Sequence, residues 1–195
     1  MAVTLVLTRK PLKGFKHGPQ SGRWGELIAI KGPKIHSVQL IAANDPSATD
    51  DVTTVPTTHG VLKLSAASDP ITEVKRFTSM ERFHTNDGKS YYVQLHPKPT
   101  PYWITFESGN SAVKHLRPGH DGRCFRVHGG KAGPEQGILI HEAPHVGWLI
   151  GCMSPRPLNN FAIEFKNAAG NPSFQSMNEL FRFVGARADL FVLDW

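Results

Sequence analysis

The sequence has few of the features that mark several protein classes. Two cysteines among 195 residues are too few for a disulfide-rich secreted scaffold or for a four-cysteine zinc site. Its apolar runs are far shorter than the roughly 18 residues that a membrane-spanning helix needs. Its basic residues are dispersed, without the long cationic run of a nucleic-acid-binding tail. We therefore expect no membrane span and no nucleic-acid partner.

The amino terminus also lacks the order of a secretory signal. The apolar segment Val3–Leu7 precedes Arg9 and Lys10, whereas a signal peptide begins with its basic residues. We expect synthesis in the cytoplasm without a signal peptide. The 22 basic and 16 acidic residues give a net charge of +6, which favours attraction to an anionic polymer such as a cell wall.

Enough apolar sequence is present for one domain spanning residues 1–195, since 39% of the residues are hydrophobic. Short segments rich in β-branched and aromatic residues alternate with turns rich in glycine and proline. This pattern predicts a mostly β protein, a sandwich or barrel, with one short C-terminal helix. The predicted strands are Val3–Thr8, Trp24–Ile30, His36–Ala42, Gly60–Ser65, Tyr91–Leu95, Tyr102–Glu107, Cys124–His128, Gly137–His141, Asn160–Lys166 and Ala188–Leu193.

Three other segments carry weaker signals. The polar stretch Asn44–Thr58 has no helical period and is predicted to be a loop. The periodicity of Ile71–Phe83 fits either a helix or a long strand. Ser176 and Glu179 match a capping box, which predicts that the C-terminal helix begins there and ends at Gly185.

The residues that could carry chemistry concentrate between His120 and Cys152. This stretch holds four of the ten histidines and both cysteines. Cys124 lies in a strand-like segment and is predicted to be a buried core residue.

One hypothesis for this stretch is a zinc peptidase. The residues from His141 through Glu142 to His145 match H-E-x-x-H, in which a helix presents both histidines to the metal and the glutamate to its water. Pro144 lies inside the motif and would break that helix, and Ile138–Ile140 before it is strand-like. The zinc peptidase is therefore kept as an alternative, and we predict no metal and no cofactor.

The second hypothesis is a cysteine nucleophile. A thiol needs a base to activate it and donors to stabilise the oxyanion that forms. Gly151-Cys152 suits this role because glycine permits a tight turn, and His141 ends a predicted strand from which it could reach the thiol. No histidine follows Cys152 in the sequence, which excludes the cysteine-then-histidine order of papain-like and NlpC-type peptidases.

A β-rich domain with a histidine followed by Gly-Cys resembles the L,D-transpeptidase (YkuD-type) superfamily. The usual signature is Ser/Thr-His-Gly-Cys, whereas Leu149 and Ile150 precede Gly151-Cys152 here. The sequence is more similar to a divergent branch found in phage and type VI secretion effectors. In that branch a strand ending Ile-Leu-Ile-His is followed, after nine residues, by Gly-Cys, as from His141 to Gly151 here.

The resemblance implies a cysteine enzyme that acts on the peptide stems of bacterial peptidoglycan as an L,D-carboxypeptidase, an L,D-transpeptidase or both. Cys152 would attack the carbonyl before a terminal D-residue and form a thioester. His141 would take the thiol proton and later return it. The carbonyl of Glu142 would orient the imidazole, and the amides of Gly151 and Cys152 would form the oxyanion hole.

Further site residues follow from the resemblance and from their positions. In the family, an arginine two places after the cysteine helps to bind the substrate. Ser154 stands at that position here and Arg156 follows two residues later. By this resemblance we expect Arg156 and Ser154 to contact the substrate. His128, in a strand-end His-Gly pair, is an alternative base. His145 is expected to line the cleft as a second imidazole, and Trp148 to form a groove wall or part of the core.

Superfamily members without signal peptides include type VI secretion effectors that are injected into a rival bacterium. We therefore expect delivery to the target-cell periplasm, with a cognate immunity protein and a secretion spike or chaperone as partners. A phage wall enzyme released by lysis fits the sequence equally well. A non-catalytic phage or spike binding module is the alternative from a different class.

Overall fold

Strands dominate the computed structural model, as the β-branched segments predict. Among the described residues no helix is long and apolar enough to span a membrane. The described residues are 1–9, 14–18, 20–45, 53–66, 69–85, 95–115, 119–129, 137–149, 151–164 and 171–194. The strands are β1 (Ala2–Arg9), β2 (Phe15–His17), β3 (Gln20–Gly32), β4 (Ile35–Ile41), β5 (Thr53–Pro56), β6 (Val61–Ala66), β7 (Glu73–Thr85), β8 (Tyr102–Glu107), β9 (Cys124–His128), β10 (Leu139–Ile140), β11 (Met153–Pro157) and β12 (Arg187–Asp194). The helices are α1 (Ser111–Lys114), α2 (Pro172–Val184) and a 3-10 turn at Val146–Trp148.

Eight strands close into a barrel in the order β1-β12-β8-β9-β10-β11-β7-β3, because β3 pairs back with β1. The short strand β2 adds to the free side of β3. Closure satisfies the backbone groups that an open sheet would leave at its edges. The predicted mostly β barrel-like fold with a short C-terminal helix is confirmed.

The barrel interior is one apolar cluster to which all eight barrel strands and α2 contribute. Leu5, Leu27, Phe125 and Leu190 from the strands are fully buried together with Leu180 from α2. Side chains alternate along each strand, so the neighbours of these buried residues point to the outer face. The helix α2 packs against the barrel through its apolar side chains.

A second sheet, in the order β4-β6-β5, lies between β3 and β7 in the chain and covers part of the outer face of the barrel. Its residue Leu62 packs in one cluster with Val6, Ile28, Ile30 and Phe191 of the barrel wall. The chain returns to the barrel close to where it left, since the amide of Thr72 donates to the carbonyl of Lys31 at 2.9 Å.

Two segments differ from their predicted structure, and one ambiguity is resolved. The predicted loop Asn44–Thr58 contains the strand β5, whose Val55 is buried against β6. The predicted strand Asn160–Lys166 forms no strand in its described part, where Glu164 makes only an isolated bridge with His145. Ile71–Phe83 belongs mainly to the long strand β7 rather than to a helix. Most of the predicted strand Tyr91–Leu95 lies outside the described residues.

The N-cap of the C-terminal helix lies five residues earlier than the predicted Ser176. Asn171 is the N-cap, and its side-chain oxygen accepts from the amide of Ser173 at 2.9 Å. Pro172 follows at the first helical position, where its missing amide is no loss. Ser176 is therefore buried inside the helix and does not cap it. The predicted end at Gly185 is confirmed, with a left-handed φ of 71°.

Candidate active site

One pair of neighbouring strands positions the predicted base and nucleophile. The strands β10 and β11 run parallel, with Ile140 opposite Met153. His141 directly follows β10 and donates its backbone amide to the Met153 carbonyl at 3.0 Å, while Cys152 directly precedes β11. The two residues therefore flank the same strand pair and share the face opposite to Ile140 and Met153.

The imidazole of His141 is buried and held in one orientation. Its Nδ1 lies 2.7 Å from the backbone oxygen of Glu142. A carbonyl oxygen only accepts hydrogen bonds, so Nδ1 carries the proton and Nε2 keeps its lone pair. Burial lowers the pKa of His141 to about 4, against the raising effect of the hydrogen bond with the Glu142 backbone. The ring is therefore neutral at pH 7 and suited to accept a proton at Nε2.

The thiol of Cys152 is also sheltered, with 8% of the residue exposed. Its Sγ donates to the carbonyl of Gly137 at 3.7 Å. Burial raises the pKa of Cys152 to about 11, against the lowering effects of a backbone hydrogen bond with Leu139 and of the charge on Arg126. The resting site consequently pairs a protonated thiol with a neutral imidazole.

The backbone conformation of Gly151 explains why a glycine precedes Cys152. Its φ of 72° lies in the left-handed region that favours glycine. An ideal Cβ added there would meet no atom within 4 Å, so backbone conformation rather than space selects glycine. This turn sets the direction in which Cys152 enters β11.

The predicted substrate-binding residues Ser154 and Arg156 are both fully buried. The hydroxyl of Ser154 lies 2.7 Å from the hydroxyl of Ser173. The Ser173 hydroxyl in turn accepts a hydrogen bond from the amide of Ala143 at 2.8 Å. The Arg156 guanidinium donates to the carbonyls of Ala143 and Pro144 at 3.4 and 3.1 Å. Both residues brace the segment that follows His141, and their contact with substrate stays a prediction.

His145 and Trp148 lie on the 3-10 turn that precedes Cys152 in the chain. Nδ1 of His145 accepts from the amide of Gly147 at 3.1 Å, and the two rings meet edge to face with centroids 6.0 Å apart. Trp148 is half-buried and packs against the apolar cluster that contains Cys152. Trp148 therefore lies at the edge of this cluster, and its role as a groove wall or as part of the core stays a prediction.

The helix that the zinc-peptidase motif requires does not form. Residues 141–145 are extended or irregular, because Pro144 cannot continue a helix. In the described part of the chain, no group of three or more His, Cys, Asp or Glu side chains is arranged to hold a metal ion. The motif therefore lacks the geometry that its chemistry needs.

His128, the alternative base, lies at the end of β9. Its Nε2 is 2.7 Å from the hydroxyl of Thr105, and its ring is parallel to that of Trp103 with centroids 5.6 Å apart. The hydroxyl of Thr105 is thus hydrogen-bonded to Nε2 of the His128 ring. The role of His128 as a base stays a prediction.

The predicted burial of Cys124 is confirmed, since the residue is fully buried in the same cluster as Cys152. Burial raises the pKa of its thiol to about 12. Cys124 therefore offers a second buried cysteine on the same face.

Two residues near the site were not singled out in the sequence. Arg126 is ion-paired with Glu107, and its charge favours the thiolate form of Cys152. His120 is buried beside Glu142, with its Nε2 3.3 Å from Oε1. The crowding of histidines after position 120 is the signal that could have identified His120, whereas no local pattern marks Arg126.

No protein-family model, curated protein or solved structure matches the chain. Membership of the L,D-transpeptidase superfamily therefore stays a prediction from the sequence.

Proposed function

We propose that the protein is a cysteine-dependent enzyme that modifies the peptide stems of bacterial peptidoglycan, by L,D-carboxypeptidase hydrolysis, L,D-transpeptidase exchange or both. One observation carries the proposal. A buried imidazole protonated at Nδ1 follows β10, and the Gly-Cys thiol precedes β11 in the same strand pair. A base with a lone pair on Nε2 and a thiol on one face are the two groups that acyl transfer needs.

In the proposed reaction, Sγ of Cys152 bonds to the carbonyl carbon before the terminal D-residue, while its proton passes to Nε2 of His141. The backbone amides of Gly151 and Cys152 face the oxyanion that forms. As the intermediate collapses, the C–N bond breaks and His141 returns the proton to the leaving amine. Water or an acceptor amine then attacks the thioester, loses a proton to His141, and releases the thiol.

The protonation states favour general-base catalysis over a preformed ion pair. A thiol pKa of about 11 and an imidazole pKa of about 4 keep both groups neutral at rest. The thiol proton must therefore move during the attack, as it does from a serine hydroxyl. The charge of Arg126 stabilises the negative sulfur as it develops.

The net charge and the family resemblance support the choice of peptidoglycan as the substrate. A charge of +6 favours binding to an anionic wall polymer. We include in the proposal delivery to the periplasm of a target bacterium and neutralisation there by an immunity protein. These steps follow from the resemblance and are tested separately from the chemistry.

The direct test is mass spectrometry of purified muropeptides after incubation with the protein. We expect tetrapeptide stems to lose one terminal D-alanine, or to exchange it when an amine is supplied. Cys152→Ala and His141→Gln should each reduce the rate at least about a hundredfold. Cys124→Ala, the matched buried cysteine, should retain it. Unaltered stems would contradict the proposal, and cleaved cross-links with intact termini would indicate an endopeptidase.

A second measurement tests the resting state of the thiol. The rate of Cys152 alkylation by iodoacetamide, measured in a Cys124→Ala background, should keep rising beyond pH 9, because the thiol pKa is about 11. At pH 7 about one thiol in ten thousand would be ionised. A rate that levels off near neutral pH would contradict the neutral pair and indicate a thiolate–imidazolium site.

The burial of Cys152 favours a second candidate, a non-catalytic binding module in which this thiol is part of the core. Periplasm-directed expression in a Gram-negative bacterium separates the candidates. Lysis that requires Cys152 and His141 supports the enzyme, whereas absence of toxicity favours the module. Toxicity that survives Cys152→Ala but disappears with a chelator would restore the zinc peptidase.

A further inference from the structure

A second buried polar pair lies next to the proposed base. Nε2 of His120 is 3.3 Å from Oε1 of Glu142, and the two side chains are only 4% and 5% exposed. His120 belongs to the connection between α1 and β9, whereas Glu142 directly follows His141. The pair therefore ties a remote loop to the residue beside the imidazole.

The hydrogen bonds define the direction of this contact. The amide of Gly122 donates to Nδ1 of His120 at 2.8 Å, so this nitrogen carries a lone pair and Nε2 carries the proton. The Nε2–H group is therefore the one that lies 3.3 Å from Oε1 of Glu142. Asp121 lies 3.8 Å from the same Nδ1 and is held by Arg123 at 2.6 Å, which fixes the loop around His120.

Glu142 is engaged at both its side chain and its peptide group. Its carboxylate pairs with the imidazole of His120, and its carbonyl accepts from Nδ1 of His141 at 2.7 Å. The same peptide plane contains the amide of Ala143, which donates to Ser173 at 2.8 Å. Because the carbonyl direction decides how the imidazole turns, any group that fixes Glu142 also fixes His141.

We propose that His120 is a positioning residue for the base. Through the Glu142 carboxylate it holds the residue whose carbonyl binds Nδ1–H of His141, and so keeps Nε2 of His141 directed for proton transfer. The catalytic consequence rests on the proposed function, whereas the effect on the His141 ring does not.

Two substitutions at position 120 distinguish the positioning of His141 through Glu142 from a purely structural role of His120 within its own loop. His120→Asn can keep an acceptor for the Gly122 amide, but its side chain is too short to donate to Glu142. His120→Gln can reach Glu142 with a donor. We expect His120→Asn to lower kcat about ten- to a hundredfold with little change in KM, and His120→Gln to recover most of that loss.

The ring itself provides a readout that needs no turnover. In the 15N-labelled protein, the ring nitrogen shifts of His141 should report a single Nδ1–H tautomer in the wild type and in His120→Gln. His120→Asn should give a mixture of tautomers. Should that variant fail to fold, Glu142→Ala, which removes the carboxylate and keeps the carbonyl, is expected to give the same mixture.

An unchanged His141 tautomer in folded His120→Asn or Glu142→Ala would overturn the positioning role. Equal losses of kcat in His120→Asn and His120→Gln would also overturn it, because support of the loop would then explain both. Wild-type protein that leaves muropeptides unaltered but shows the expected ring shifts would refute the proposed function alone.

Discussion

At the scale of single residues, the environment of His141 links its proposed role as a base to the stability of the fold. The ring is buried and neutral, and its Nδ1 hydrogen-bonds to the backbone of the adjacent residue. In the unfolded chain the same histidine would be solvated and would bind a proton readily. Folding therefore works against protonation of this residue.

This difference predicts an acid-sensitive fold. The pKa of His141 is lowered from 6.5 to about 4, so between these values the unfolded state binds more protons than the native state. The stabilisation is fully present above pH 6.5 and is lost as the pH falls towards 4, by about 3 kcal/mol in all. Urea unfolding from pH 7 to pH 4 should show this loss, and His141→Gln should reduce it. An equal pH dependence in both proteins would contradict the prediction.

The sequence identifies the residues of the proposed reaction better than their supporting contacts. The order of His141 and Gly151-Cys152 is visible in the chain, and the turn at Gly151 has the backbone that glycine favours. The contact between His120 and Glu142 depends on the path of a loop between α1 and β9, which no local pattern encodes. The burial of Ser154 and Arg156 likewise follows from tertiary packing.

At the scale of elements, the start of α2 supports the segment after His141. Ser173 lies in the first turn of the helix, accepts the amide of Ala143 and contacts the hydroxyl of Ser154. Asn171 caps the same turn. A helix terminus thus holds the peptide plane on which the imidazole depends.

We expect Ser173→Ala to lower the free energy of unfolding by about 1–3 kcal/mol, because two buried polar groups lose their partner. Urea unfolding measures this loss. Ser176→Ala, a buried serine one turn further along α2, is the matched control and should cost less. Equal losses would show that removal of any hydroxyl from this helix has the same effect.

Sequence patterns predicted most strands, because β-branched residues between turn signals suit a half-buried pleated surface. They misplaced the start of α2, since the spacing of Ser176 and Glu179 also occurs inside a helix. The true signal was Asn171 followed by Pro172. The parallel pairing of β10 with β11 was not predictable, because a two-residue strand has no period to detect.

At the scale of the whole molecule, a buried ion pair joins strands that are not neighbours. Arg9 of β1 and Glu81 of β7 are separated by β3, and they make two hydrogen bonds of 2.9 Å. The guanidinium also donates to the carbonyl of Leu95 at 2.5 Å. These contacts hold one end of the barrel together.

Removing one partner of the Arg9–Glu81 pair should lower the stability of the fold substantially. We expect Glu81→Ala to lower the free energy of unfolding by about 3–5 kcal/mol, because Arg9 would stay charged and buried with only the more distant, partly exposed carboxylate of Asp194 at 3.7 Å. Lys75→Ala, which breaks an exposed pair with Glu179, should cost less than about 1 kcal/mol. Denaturant unfolding compares the two variants. A loss at Glu81 no larger than that at Lys75 would contradict the role of the buried pair.

The sheet formed by β4, β6 and β5 has a consequence for how the chain could be shortened. Because Lys31 and Thr72 are already hydrogen-bonded, excision of the segment between them would leave β3 and β7 as a simple hairpin. The barrel would keep its connectivity, but the apolar residues of its wall that pack against Leu62, among them Val6, Ile28 and Phe191, would then face water. A truncated chain would therefore self-associate unless those wall residues were also made polar.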